Sequence, residues 1–185
     1  MPIYGWIIIG VIVVALIGYF IAKYNTLVRK KNECEEAFAT MDVYLKQRWD
    51  VVPNFIEIVK GYAKHEAETL NNIVKLRTDS YESLSTNEKI EANKQLSQGL
   101  GKLLAVAEAY PDLKSSANFQ DLSTKLETVE TNIANARKYY NASVKEYNNA
   151  VLIFPSSIVA KMFKFNKMEM FEINAEERAN VKVKF

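Results

Sequence analysis

The hydrophobic pattern divides the chain into an uncharged apolar start and a long amphipathic remainder. Residues 3–22, IYGWIIIGVIVVALIGYFIA, carry no charged side chain. At about 1.5 Å rise per residue, a helix of this length crosses a hydrocarbon core of about 30 Å. Aromatic residues lie near both ends of the segment, where lipid and water meet: Tyr4, Trp6, Tyr19 and Tyr24. The pattern predicts a transmembrane anchor over residues 1–23.

A cleaved signal peptide is the alternative interpretation of this segment. Such a peptide has a basic start, an apolar run of about 7–15 residues, and small residues before the cleavage site. Here no basic residue precedes the run, the run is longer, and Phe20 occupies the small-residue position before Ala22. The sequence therefore favours an anchor that is retained.

The basic residues that flank the anchor predict its orientation. Lys23, Arg29, Lys30 and Lys31 follow the apolar segment, and none precedes it. Because loops rich in Lys and Arg stay on the cytoplasmic side, the amino terminus is expected outside and the rest of the chain in the cytoplasm.

Apolar residues recur in steps of three or four throughout the remainder, and this period predicts helices. The sequence STNE, residues 85–88, has the form of a capping box and predicts a helix start. No segment alternates with a period of two for long enough to predict a sheet. Four amphipathic stripes run from Leu27 to Val52, from Ile56 to Leu84, from Ile90 to Tyr110, and from Phe119 to Phe154.

The stretch RWDVVPNF, residues 48–55, decides how the first two stripes are joined. A proline costs about 3 kcal/mol inside a helix but is tolerated in a first turn. With Asp50 as an N-cap and Pro53 just inside the next helix, residues 49–53 form a corner. The alternative is one long kinked helix. The corner predicts an all-α protein in which the anchor precedes an antiparallel up-and-down four-helix bundle over residues 24–154.

In such a bundle the last helix returns to the membrane, so the tail over residues 155–185 begins beside the lipid. The tail mixes apolar and aromatic residues with Lys161, Lys164 and Lys167. Two compatible interpretations follow. In the favoured one the tail seals the open end of the bundle, and in the other it lies in the headgroup layer with its lysines on anionic lipid.

The overall charge and the single cysteine exclude several classes of protein. The net charge is +2, which is too even for a dedicated nucleic-acid binder, so no nucleic-acid partner is expected. Cys34 is the only cysteine, so the chain forms no internal disulfide, and a cysteine-based zinc site has very little support. An anchored chain is also expected to form homo-oligomers, which crosslinking through Cys34 would detect.

Few residues are candidates for chemistry, and the sequence assigns no catalytic, cofactor-binding or metal-ligating residue. His65 is the only histidine, so neither HExxH nor the paired Glu-x-x-His of a di-iron bundle is present. Glu66 and Glu130 lie beside apolar stripes. A metal site on Glu66, Glu130 and His65 is the weaker hypothesis. A hydrogen-bonded network with Arg77 or Arg137 is the stronger one, because guanidinium pairs with carboxylate through two bonds.

Polar residues on the apolar faces are interpreted as structural. Asn93, Asn141 and Asn148 are expected to fix helix register rather than to contact a ligand. The repeated pairs Tyr140-Asn141 and Tyr147-Asn148 predict either core tyrosines whose hydroxyls reach the edge, which is slightly favoured, or a polar collar at the membrane.

Glycines inside the predicted helices need compensation, because each costs about 1 kcal/mol relative to alanine. For Gly61, Gly99 and Gly101 a close approach of another helix, within the bundle or from another subunit, is the expected compensation. Gly10 and Gly18 lie on a similar face of the anchor and hint weakly at packing between spans. No glycine-rich phosphate loop occurs.

Several motifs in order give the chain a resemblance to a known family. WDVVPNF, VKGYAKHE, EAYPDLK with NF shortly after it, ARKYYNASVKEYNNAV and FP resemble the LemA family of bacterial membrane-anchored proteins. The resemblance implies a four-helix bundle, a bacterial origin and no established enzymatic activity. The tail KMFKFNKMEMF departs from the family pattern, being more basic and richer in methionine.

The expected function is therefore that of a non-enzymatic scaffold or adaptor without a cofactor. It would hold a cytoplasmic bundle at the bacterial inner membrane for association with lipid, with copies of itself, or with unidentified membrane or cytoplasmic proteins. The alternatives are a bundle with a carboxylate metal site and a regulator of a membrane protease.

Overall fold

A computed structural model describes residues 3–63, 70–71, 74 and 81–171 of the chain. This described part is helical and contains no β-strand. A short 3₁₀ turn covers Tyr81–Ser83. The α-helices are α1 (Ile3–Tyr62), α2 (Thr86–Glu108), α3 (Pro111–Lys114), α4 (Ala117–Leu152) and α5 (Ser156–Met162).

The chain divides into two compact units. The first unit comprises Met1–Ala39 and Lys138–Met170, and the second comprises Thr40–Arg137 and Phe171–Phe185. The division falls inside α1 and inside α4, so each of these long helices contributes one part to each unit.

The first part of α1 is apolar and uncovered. Its most apolar 18-residue window has a mean hydropathy of 2.6, and none of that window is buried by protein. Length and composition suffice for this helix to cross a membrane. Burial begins further along α1, where Tyr19 and Phe20 are half-buried and Leu27 is fully buried.

The expected corner at residues 49–53 is wrong, because α1 continues through Pro53 to Tyr62. Residues on both sides of the proline form one buried face: Leu45, Val52, Phe55, Ile56 and Val59. Burial of each such side chain contributes about 1.5–3 kcal/mol, so the face outweighs the cost of about 3 kcal/mol for the proline. Asp50 is no N-cap. Its carboxylate lies 3.1 Å from Lys46 Nζ on the helix surface.

The start of α2 follows the predicted capping box. The Ser85 side chain accepts a hydrogen bond from the Glu88 N–H, and the Glu88 carboxylate accepts one from the Ser85 N–H at 2.7 Å. Pro111 occupies the first turn of α3, where its missing N–H had no helical partner. The fourth predicted helix is confirmed as α4, which ends just before Pro155. The second predicted stripe does not begin a new helix at Ile56, since residues up to Tyr62 belong to α1; residues 64–69, 72–73 and 75–80 of the stripe lie outside the described residues.

In the second unit α1 packs against both α2 and α4. The Phe55 and Phe119 rings meet at 5.2 Å, and Arg48 contacts Glu130. Residue numbers therefore rise along α1 as they fall along α4. Residue numbers along α1 and α2 rise in the same direction, because Asp42 contacts Lys89 and Arg48 contacts Asn93.

In the first unit the start of α1 packs against the end of α4 and the tail. Lys30 pairs with Glu146 at 2.7 Å, and the Phe38 ring lies 5.7 Å from that of Tyr140. After α5 the chain turns in a Schellman arrangement, with the Phe165 N–H bonded to the Ala160 carbonyl. Lys164 takes the left-handed conformation of that turn, with φ 57°.

Candidate functional site

A buried arginine organises the second unit. Arg48 is only 2% exposed. Its Nη1 donates to Ser97 Oγ at 2.8 Å and to the Glu130 carboxylate at 3.0 Å. Its Nη2 donates to the Asn93 carbonyl and to Asn93 Oδ1, at 2.8 and 2.9 Å. One guanidinium thus joins α1, α2 and α4. We call Arg48, Asn93, Ser97 and Glu130 the arginine cluster.

Three further residues extend the arginine cluster. The Tyr81 hydroxyl donates to Asp42 Oδ1 at 2.6 Å, and Lys89 Nζ donates to Asp42 Oδ2 at 2.6 Å. The Asn93 amide donates to the Lys89 carbonyl at 3.0 Å. Burial, together with the bond to Asp42, raises the pKa of Tyr81 well above its usual range, so the phenol remains a donor.

The charges of this network balance one another. Arg48 and Lys89 supply two positive charges, and Asp42 and Glu130 supply two negative ones. Paired charges of this kind can hold helices in register. Both Glu130 oxygens lie on the guanidinium of Arg48, whereas the buried Arg48 Nε has no hydrogen-bond partner among the described residues.

A hydrogen-bonded network of carboxylate and guanidinium was predicted and is present, but Arg48, the residue at its centre, was not predicted. Glu130 pairs with a guanidinium as expected, and the described partner is Arg48 rather than Arg137. Arg137 instead lies over the Phe171 ring at 5.9 Å. His65, Glu66 and Arg77 lie outside the described residues. Among residues 3–63 and 81–171, no three potential metal ligands of the His, Cys, Asp or Glu types lie together.

A signal for Arg48 was present in the spacing. Leu45, Arg48, Val52, Phe55 and Val59 follow one another in steps of three and four, the seam pattern of packed helices. Asn93 is confirmed as a buried polar residue of the helix interface.

The tyrosine-asparagine pairs of α4 hold the tail in the first unit. Tyr140 and Tyr147 are buried, and their hydroxyls donate to the backbone carbonyls of Glu169 and Asn166, both at 2.9 Å. The Asn148 side chain makes two bonds to the backbone of Met168, also at 2.9 Å. The favoured interpretation, core tyrosines with edge hydroxyls, is confirmed, and their acceptors belong to the tail. We call these contacts the tail clasp.

The expected close approach at two glycines is not found. A Cβ at Gly61 or at Gly101 would meet no atom within 4 Å. The same is true of Gly10 and Gly18 in the apolar part of α1. No contact within the described chain therefore compensates these glycines.

Cys34 lies in the core of the first unit, 1% exposed, and is unsuited to crosslinking between folded copies. Burial raises the pKa of its thiol from 9.0 to about 11. Burial also raises the pKa of Tyr140 to about 12 and that of Tyr147.

These pKa values predict alkaline destabilisation. The unfolded chain releases the Cys34 proton near its ordinary pKa, whereas the folded chain keeps it, so stability is complete below about pH 9 and falls toward pH 11. At pH 10 the loss from Cys34 alone is about 1 kcal/mol. Urea unfolding of the reduced, detergent-solubilised protein between pH 8 and 10 measures it. Cys34→Ala should show a shallower decline, and parallel declines would contradict the assignment.

An exposed apolar surface lies where α4 ends and α5 follows. It consists of Leu152, Ile153, Phe154, Ile158, Met162 and Phe163, each of which is about half exposed or more. On α5, Ile158 and Met162 share one face, whereas Val159 and Ala160 are buried on the other. We call the six residues the apolar patch.

The fold and these sites define a class: a helical protein whose described residues include one helix that could span a membrane, and in which a buried arginine joins three helices. Comparison with known proteins makes the class specific. The family model described as LemA family matches residues 37–185. The chain belongs to the LemA family.

Curated relatives agree with this membership. Protein LemA of Metamycoplasma hominis is 26% identical over 163 residues, covering 88% of this chain and 74% of the relative. Magnetosome protein MamQ 2 of Paramagnetospirillum magneticum is 25% identical, covering 92% and 73%. Magnetosome protein MamQ of Magnetospirillum gryphiswaldense is 24% identical, covering 85% and 68%.

Proposed function

We propose that the protein is a membrane-anchored, non-enzymatic helical scaffold. In this proposal residues 1–23 are the anchor, residues 24–154 form an antiparallel up-and-down bundle, and residues 155–185 form the tail. One observation carries it: α1 runs without interruption from an uncovered apolar segment into the buried core. An anchor that shares a helix with its bundle holds that bundle at the membrane without a flexible linker.

The bundle arrangement draws support from the order of its contacts. In the first unit Lys30 contacts Glu146 and Phe38 contacts Tyr140, so residue order along α4 is opposite to that along α1. In the second unit Arg48 contacts Glu130 and Phe55 contacts Phe119, which gives the same opposite order. The contacts of α1 with α2 run in the same residue order. The helix count stays a prediction, since much of the second stripe lies outside the described residues.

The bundle is proposed to lie in the cytoplasm of a bacterial cell, at the inner membrane. Lys23, Arg29, Lys30 and Lys31 all follow the apolar segment, which favours this orientation. Partners would be other proteins, the lipid bilayer and further copies of the chain. Two relatives are named as magnetosome proteins, a name that refers to a cellular structure and not to a reaction.

Self-association draws support from the open glycines. Among the described residues, no atom lies within 4 Å of where a Cβ of Gly10, Gly18, Gly61 or Gly101 would stand, so each leaves room for the approach of another chain.

A tag at the carboxyl terminus tests anchoring and orientation together. The tagged protein is expected to stay in membranes through alkaline carbonate extraction. Protease should remove the tag in inverted membrane vesicles and leave it intact in spheroplasts. Release by carbonate would contradict the anchor, and cleavage in spheroplasts would contradict the orientation.

A further inference from the structure

We propose that the apolar patch lies in the headgroup layer of the same membrane, as a second lipid contact beside the anchor. The occupant is an anionic phospholipid surface. This inference rests on the proposed anchor, because only an inserted span brings the patch to lipid.

Contacts with α1 place the patch at the membrane boundary. Tyr24 stands two residues after the apolar segment ends at Ala22, a distance of about 3 Å along the helix. The Phe163 ring centroid lies 4.7 Å from that of Tyr24, and the Phe165 centroid lies 5.7 Å from it. An exposed ring at this level occupies the zone where aromatic residues of membrane proteins collect.

The exposure of the patch is the second argument. Phe154 is 75% exposed and Met162 is 58% exposed, although both lie in a unit with a well-packed core. An exposed apolar surface of this size marks an interaction site, and Phe163 of the patch contacts Tyr24, just after the uncovered apolar part of α1. The Schellman turn and the tail clasp hold it in place, because they fix the chain after α5 against α4.

Charge favours anionic lipid over a neutral surface. Lys161, Lys164 and Lys167 are exposed beside the patch, and none pairs with an acidic side chain of the described residues. From α1, Lys23 and Arg29 emerge just past the apolar segment. Basic residues from two separate segments therefore flank one apolar surface, the composition of interfacial elements that bind anionic membranes.

Depth measurements with spin labels test the proposal on the full-length protein in liposomes. Single cysteines replace Val14, Met162 and Ala142 in a Cys34→Ala background. Val14 reports on the span, Met162 on the patch, and Ala142 on an exposed part of α4 in the same unit. Labels are compared by their accessibility to oxygen, which concentrates in the bilayer, and to a water-soluble nickel chelate.

The proposal expects bilayer-type accessibility at residues 14 and 162 and aqueous accessibility at residue 142. Bilayer accessibility at 14 with aqueous accessibility at 162 would overturn the lipid contact and leave the anchor standing. Aqueous accessibility at 14 would overturn the proposed function itself. Shielding at 162 from both reagents, or label–label broadening that survives dilution with lipid, would assign the patch to protein and overturn the lipid contact.

Vesicle charge tests the lysines. The label at residue 162 should move deeper when phosphatidylglycerol is added to phosphatidylcholine vesicles. The double variant Lys161→Gln/Lys167→Gln should lose most of this shift. The control Lys138→Gln/Lys145→Gln removes the same charge from exposed positions on α4 and should keep it. Equal shifts in the two double variants would contradict recognition of anionic lipid by the tail.

Discussion

Arg48→Met is expected to lower the free energy of unfolding by about 1–3 kcal/mol, the cost of leaving a buried hydrogen-bond acceptor without its donor. The substitution fills similar space but strips Asn93 of the guanidinium that its carbonyl and Oδ1 both accept from. The Asn93 carbonyl keeps its hydrogen bond from Ser97 Oγ, but Asn93 is fully buried, so its Oδ1 cannot turn to water instead. Urea unfolding of the detergent-solubilised protein, followed by circular dichroism, measures the loss.

Two further variants make the Arg48 experiment specific. Asn93→Leu in the Arg48→Met background should recover part of the lost stability, because it removes the stranded polar group. Lys46→Met changes a nearby exposed residue whose partners, Asp50 and Glu82, lie on the surface, and it should cost less than about 1 kcal/mol. A loss as small for Arg48→Met as for Lys46→Met would mean that the arginine cluster does not hold the helices.

Pro53→Ala is expected to stabilise the protein by about 2 kcal/mol. Within a continuous helix, alanine supplies the N–H that proline lacks and removes the clash of its ring, a gain of up to about 3 kcal/mol. Proline restricts the unfolded chain, which offsets about 0.4–1 kcal/mol of that gain. The same urea titration measures the difference.

The control for Pro53 is Pro111→Ala, since Pro111 stands in the first turn of α3, where proline costs nothing. That variant should be neutral or slightly destabilising. If Pro53→Ala behaved in the same way as Pro111→Ala, residue 53 would stand at a helix start, and the corner predicted from the sequence would be correct after all.

The sequence predicted most helices because their signals are local. The capping box at Ser85, the first-turn proline at Pro111 and the unbroken apolar spacing of α4 each act within a few residues. Pro53 led to the wrong prediction of a corner. The free-energy cost of a proline inside a helix is offset here by the burial of apolar side chains before and after it. A local rule contains no term for that burial.

The contacts of the candidate sites were harder to predict from the sequence, because they too depend on residues that are distant along the chain. The partners of Arg48 come from α2 and α4, 45 and 82 positions along the chain. The corner was the basis for expecting the tail beside the membrane, but in the first unit the tail contacts Tyr24 although α1 has no corner. Opposite pairing of α1 and α4 in the first unit brings the tail there directly.

The tail clasp has an evolutionary consequence. The hydrogen bonds of Tyr140, Tyr147 and Asn148 to the tail are made to its main-chain atoms and not to its side chains. Of the tail's N–H groups, these bonds use only that of residue 168. Proline, which has no N–H, is therefore the one residue that they exclude at position 168. Selection can therefore rewrite residues 166–169 for a different lipid or partner while the segment keeps its path along the helix.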